Sequence, residues 1–298
     1  MERFKIVFGY ILICIIWGST WLGIKFSLVD FPPLFAAAWR FLLASGFVFI
    51  FVKAFRIPFS KDRNSIKVYV ILTFFSFAIP FPLVYWAEKT VASGLGAILF
   101  ATFPFWVIIF NRIALKEPIG IFKFFGTLLG FIGIILIFAN NLSENDFNAA
   151  AGILAIVLAA AIQGWSSVYV KKYAKHINPL SMNFYPLLFG GIIIQVVSLL
   201  FEDYTTIKFT YVGVGAVFYL ALFGTVITFT IYYWLMKRID IVLLSLSTFI
   251  TPILALFFGW LVLDETFSTN VYFASMLVLF GILLSNSGAI ISRIKNRT

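Results

Sequence analysis

Residues 91–117 (VASGLGAILFATFPFWVIIFNRIALKE) and 239–265 (IDIVLLSLSTFITPILALFFGWLVLDE) are two copies of one pattern, a long apolar run with a proline inside it and an acidic tip. Pro104 and Pro252 are 148 residues apart, and so are Glu117 and Glu265. Sliding the whole chain by 148 aligns its landmarks without a gap. Trp17 meets Trp165, Ser19 meets Ser167, Tyr85-Trp86 meets Tyr233-Trp234, Lys89 meets Lys237, Leu115 meets Leu263 and Gly133 meets Gly281. Several of these are rare residue types, so the register is not coincidence. The chain reads as two copies of one unit, residues 1–141 and 149–292.

Both copies are built for lipid. Hydrophobic residues make up 62% of the chain and charged residues 11%, against about 25% charged in soluble domains. The apolar residues come in runs of about 20, the length a helix needs to cross a hydrocarbon core. Ten spans follow, near 7–28, 34–53, 68–87, 92–112, 120–140, 150–170, 182–201, 211–234, 241–263 and 270–291. The first run is too long for the apolar core of a signal peptide and lacks a small-residue cleavage site, so it is read as an uncleaved span. Each copy holds five spans, an odd number, so the second enters the membrane in the opposite sense. The expected fold is all-α and integral to the membrane: ten transmembrane helices as two inverted five-helix repeats around a central cavity. Such repeats are a signature of secondary transporters, whose solutes bind near the midplane where the halves meet.

The formal charge of +10 does not indicate a nucleic-acid partner, because the basic residues sit in short gaps between apolar runs. With the N-terminus placed inside, 18 lysines and arginines fall on that side and only Lys89 and Lys208 on the other. By the positive-inside rule both termini are cytoplasmic, and the location is a plasma (inner) membrane crossed many times. One histidine, His176, and one cysteine, Cys14, exclude a His-cluster metal site and an internal disulfide. No catalytic residue and no cofactor is expected. No phosphate-cradling glycine loop with lysine is present, so the chain carries no ATP motor. All twelve acidic residues fall in loops or at span ends. Proton-coupled exporters of cationic drugs usually keep one at mid-membrane, so this pattern argues against that mechanism.

The candidate site residues follow from depth. Pro104 and Pro252 are expected to kink their helices, since proline lacks a backbone donor and clashes with the preceding turn. Thr102, Thr248 and Thr251 stand ready to bond the freed carbonyls. Trp17 and Trp165 lie mid-span beside Ser19, Thr20, Gln163, Ser166 and Ser167. A mid-span amide such as Gln163 is costly unless bonded or wetted. Tyr85, Trp86, Tyr169, Tyr233 and Trp234 complete the aromatic wall, although Trp86 and Trp234 lie near span ends, where an interfacial belt accounts for them as well. Lys25 and Arg40 are the basic residues inside spans. Lys25 suits snorkelling to the headgroups. Arg40 is deeper, placed either to hold a carboxylate or phosphate through its planar fork or to cap a backbone carbonyl. Their counterparts in the second copy are Tyr173 and Leu188.

These residues resemble the EamA-type branch of the drug/metabolite transporter superfamily. WGSTWLGIK at 17–25 is similar to that family's first-span motif, and PPLFAAAWRFLLA at 32–44 to its second-span arginine motif, with Arg40 on the arginine. GLGAILFATFPFWVIIFNRIALKE at 94–117 resembles the fourth-span motif, and GTLLGFIGIILI at 126–137 the glycine-rich fifth helix. The likeness covers essentially the whole chain. The second copy departs from it, with GWSSVYVKK in place of the WGST pattern and no arginine. The resemblance implies export of small metabolites, amino acids and aromatic or amphipathic compounds among them, through a cavity between the halves. The expected partners are such a metabolite and the bilayer, with a homodimer as the self-assembly to consider. A non-transporting assembly subunit or a lipid scramblase is the alternative. A membrane-embedded enzyme would need clustered intramembrane acids or histidines, which the sequence lacks.

Overall fold

The computed structural model describes residues 2–116, 119–143, 146–174, 176–236, 238–239 and 247–295. Every long element among them is helical. The first half contains α1 (Glu2–Asp30), α2 (Pro33–Ala54), α3 (Arg63–Leu72), α4 (Pro80–Ala87), α5 (Ser93–Phe100), α6 (Phe103–Leu115) and α7 (Ile121–Ser143). The second contains α8 (Phe147–Tyr173), α9 (Pro179–Phe201), α10 (Tyr211–Ala221), α11 (Thr228–Met236), α12 (Ser247–Leu263) and α13 (Thr269–Lys295). A π-turn at Thr73–Ala78 joins α3 to α4 in one span, and another at Leu222–Ile227 joins α10 to α11. α5 and α6 form the fourth span, broken at Ala101–Thr102. Nine helical segments among the described residues are long and apolar enough to cross a membrane, and Phe249–Leu263 supplies a shorter tenth.

Local chemistry sets the helix starts. Proline occupies the first turn of α2, α4, α6 and α9, where its missing donor costs nothing. Asp62 accepts the backbone N–H groups of Asn64 and Ser65 at the start of α3. The Ser65 hydroxyl, the Ser65 N–H and nearby His176 hold the Asp62 carboxyl down at about 2, so the cap stays charged through ordinary pH. The outer face of the bundle is apolar. On α1, Val7, Ile11 and Ile15 recur every four residues and are all exposed, a stripe that only lipid covers.

The halves interlock by exchange of their first helices. α1 packs against α10, α11 and α12, while α8 packs against α3, α4, α5 and α6. α2 pairs with α9, and α7 with α13, across the axis between the halves. α1 runs toward Asp30, which meets α10 at Gly213. α8 starts at that same end, where the Thr90 hydroxyl donates to the Asn148 carbonyl at 3.3 Å, and finishes near His176, which lies 3.0 Å from the Ser65 hydroxyl at the opposite end. The two first helices therefore run in opposite senses, as an inverted repeat requires. The end that carries Asp30, Glu88, Glu202 and Glu265 is called the acidic end below.

Candidate functional site

The two π-turns mark the site. Shifted by 148 residues, Thr73–Ala78 falls on 221–226, one residue from the observed 222–227. A π-turn interrupts the regular carbonyl ladder of a helix and frequently sits at a functional position. Each is grasped by a polar side chain from the other half. The Arg40 guanidinium of α2 donates to Thr225 Oγ1 at 3.1 Å and to the Gly224 carbonyl at 3.4 Å. Gln163 of α8 donates to the Ser76 carbonyl at 3.1 Å, and Ser166 lies 2.8 Å from the Ser76 hydroxyl. The costly mid-span amide is thus satisfied by a specific backbone oxygen.

Arg40 is 4% exposed. Its guanidinium lies 5.0 Å from the centre of the Phe81 ring and 5.7 Å from that of Phe41. No carboxylate pairs with it among the described residues, and its two hydrogen bonds use two of the five N–H donors the group carries. The Tyr85 hydroxyl is fully buried beside it and makes no hydrogen bond of good geometry among the described residues. Thr20, also buried, donates to the Trp17 carbonyl at 2.7 Å, and its methyl group rests against Gly224. Arg40, Tyr85, Thr20 and the second π-turn form one cluster at the join between the halves. Beside it, Val48, Asn183, Thr225 and Phe229 help to line a space of about 10 Å³, the room for one water. The larger cavity, about 200 Å³, opens at the acidic end between Thr90, Leu95, Asp146, Ile153 and Phe267.

Trp165 and Tyr169 form a second group. Their ring centres are 6.0 Å apart, and Phe75 of the first π-turn sits 4.9 Å from Trp165. Trp17 belongs to a third group, 5.3 Å from Tyr232 and 6.0 Å from Phe229. Three more of the expected residues are placed as follows. Trp86 is 48% exposed, as a residue of an interfacial belt would be. Trp234 packs under Arg238, 4.3 Å from its guanidinium, away from the Arg40 cluster. Pro104 falls in the first turn of α6, just after the two-residue interruption at Ala101–Thr102, with Thr102 Oγ1 donating to the Leu99 carbonyl at 2.6 Å. Its repeat partner Pro252 lies inside the continuous α12. The side chains of Tyr233 and Thr248, and Glu117, lie outside the described residues.

The acidic end is tied together by carboxylates that cross between halves. Glu202, after α9, accepts the N–H groups of Leu34 and Phe35 at 2.7 and 2.8 Å. Glu265, after α12, accepts those of Ser93 and Gly94 at 2.6 and 3.0 Å. Asp30, closing α1, accepts the Gly213 N–H at 2.9 Å and the Thr210 hydroxyl. Carboxylates on the positive ends of helices are well-placed latches. Sequence reading missed all three, although each falls at the end of an apolar run, where such a cap is to be sought.

Comparison with known proteins places this architecture. The model of the EamA-like transporter family matches residues 4–139 and again residues 150–287. The chain is 28% identical over 281 residues to YoaV of Bacillus subtilis, an uncharacterized transporter, covering 94% of this chain and 96% of that protein. It is 26% identical over 278 residues to YedA of Escherichia coli, an uncharacterized inner membrane transporter, covering 92% and 88%. A crystal structure superposes with a TM-score of 0.67 at 18% identity, covering 94% of this chain and 96% of that one, which is agreement in fold.

Proposed function

Because the chain belongs to the EamA-like transporter family, a multi-pass membrane transporter whose partner is a small molecule, we propose that it exports an organic solute bearing a carboxylate, an amino acid or an aromatic or amphipathic metabolite, by alternating access. The observation that carries this reading is Arg40: a buried cation at the join of the halves, with donors to spare and no carboxylate within ion-pair distance among the described residues. Its planar fork matches a carboxylate. Aromatic rings of Phe81 and Tyr85 beside it suit the rest of such a solute. With the acidic end latched, solute would enter from the opposite side, and release would follow when Asp30, Glu202 and Glu265 let go of their helices. One chain contains both halves of this pathway.

Counterflow tests the proposal. Proteoliposomes loaded with unlabelled phenylalanine are expected to accumulate labelled phenylalanine, with competition from carboxylates and little from the matching amides. Equal competition by amides would remove the carboxylate from the reading, and no accumulation with any of a metabolite panel would turn it toward the assembly-subunit or scramblase alternative.

The direction of export rests on orientation. We propose that the acidic end faces outward across the inner membrane and that both termini are cytoplasmic, from the distribution of lysine and arginine. A phosphatase fused within residues 54–67 is therefore expected to be inactive, and a green fluorescent protein there to fluoresce. The reverse pair of results would invert the topology.

A further inference from the structure

Glu88 differs from the three latching carboxylates of the acidic end. Asp30, Glu202 and Glu265 each accept at least one backbone N–H. Glu88, directly after α4, is 0% exposed, and neither of its carboxylate oxygens has a hydrogen-bond partner among the described residues. The ammonium of Lys25 on α1 donates to the backbone carbonyl of Glu88, not to its carboxylate. Tyr85 lies three residues earlier on the same face of α4, with Arg40 of α2 beyond it. Glu265, at the end of α12, faces Glu88 as a second negative charge. Apart from Glu265, whose counterpart is Glu117, the charged members of this cluster lie in the first copy of the repeat. Lys25, Arg40 and Glu88 correspond to Tyr173, Leu188 and Met236 148 residues on, whereas Tyr85 keeps its counterpart Tyr233. Three ionisable residues in one copy, all replaced by uncharged ones in the other, form a set.

We propose that Glu88 is a proton-binding site of the transport cycle: closing the acidic end places a proton from the water on that face onto the Glu88 carboxylate, and opening that end returns it. An ionised carboxylate shut away from water without a partner is strongly disfavoured, and the neutral acid is the form burial tolerates. Burial accordingly raises the Glu88 pKa well above the usual carboxylate range, with Glu265 adding to the rise and Lys25 and Arg40 opposing it. Open to water, the same group ionises in the ordinary acid range. The closed form thus binds a proton that the open form lacks, so closure is favoured at low pH and weakens as pH rises through the closed-state pKa. A pH difference across the membrane then biases the gate. No mid-membrane acid is required, since the acid at the end of a span is carried inside by the fold.

The first test needs no solute. Infrared titration of the purified protein in detergent is expected to show the carbonyl band of a neutral carboxylic acid persisting at pH 7 and absent from Glu88→Gln. Glu88→Asp keeps a band with a displaced midpoint, which separates loss of the site from loss of the fold. In parallel, spin labels at Lys89 and Lys208 should report a closed acidic end whose population falls as pH rises in the wild type and is independent of pH in Glu88→Gln. No neutral-acid band at pH 7, a band that survives in Glu88→Gln, or a gate equally pH-dependent in that variant would overturn the proposal. Failure of counterflow with every carboxylate would sink the solute assignment alone, because neither of these readouts involves solute.

Discussion

Gly126→Leu is expected to drive α7 and α13 apart and to lower the thermal midpoint of the detergent-purified protein by roughly 10 °C. In lipid the two helices gain nothing from hiding apolar surface, so close backbone approach must supply the attraction. Here the approach leaves no room for a side chain. A Cβ on Gly126 would stand 2.5 Å from both the Gly281 carbonyl oxygen and the Ser285 nitrogen, and a Cβ on Gly281 would stand 2.5 Å from the Gly126 carbonyl oxygen. Those obstacles are backbone atoms of a partner helix, which cannot turn aside as a side chain does. Overpacking of this kind costs about 1–3 kcal/mol or more, and about 3 kcal/mol corresponds to a shift of order 10 °C. Gly281→Leu should act alike, because the contact is reciprocal across the axis. Gly46→Leu is the control: nothing lies within 4 Å of a Cβ there, and its midpoint should match the wild type. A Gly126→Leu protein as stable as the control would show that α7 and α13 do not hold the halves together.

How much of this was open to sequence reading depends on the distance over which each feature is determined. The helical spans and the repeat are written in local patterns, and among the described residues nine spans and a shorter tenth helix emerge. Tyr85 and Trp86 show where local reading stops. They are neighbours, yet one is fully buried and the other 48% exposed, because adjacent helical residues point about 100° apart. Helical phase therefore held the signal that Trp86 does not share the environment of Tyr85, while hydropathy alone did not. Glu88 carried no such signal. A carboxylate at the end of an apolar run, followed by Lys89, reads as a headgroup residue, and only the packing of α8 and α2 around α4, with Lys25 of α1 reaching over, closes it from water. The π-turns are equally non-local. Nothing in TFFSFA or LFGTVI demands an extra residue per turn, and each is stabilised by a partner from the other half, Gln163 in one case and Arg40 in the other.

That last comparison yields the sharpest test of the solute site. Arg40 has two possible roles, as a clasp on the second π-turn and as the anchor for a carboxylate. Gln163 shows that a glutamine is enough to clasp a π-turn, since its amide bonds the Ser76 carbonyl at 3.1 Å. Arg40→Gln should therefore keep a donor for Gly224 while removing the charge. If the side chain were only a clasp, Arg40→Gln would fold and transport nearly as the wild type does. With a carboxylate anchored there, losing one partner of a buried charged pair costs about 2–5 kcal/mol, and the apparent KM for phenylalanine in counterflow is expected to rise by roughly 30-fold to over 1000-fold, with the thermal midpoint little changed. Arg40→Lys should recover only part of that loss, because a lysine keeps the charge and gives up the fork that meets both carboxylate oxygens. Competition by phenylalanine amide supplies the internal check. The amide has no carboxylate for Arg40 to hold, so its weak inhibition should be the same in the wild type and in Arg40→Gln. A large loss of amide binding in the variant would mean that the cavity itself had changed shape, and would return Arg40 to a purely structural role.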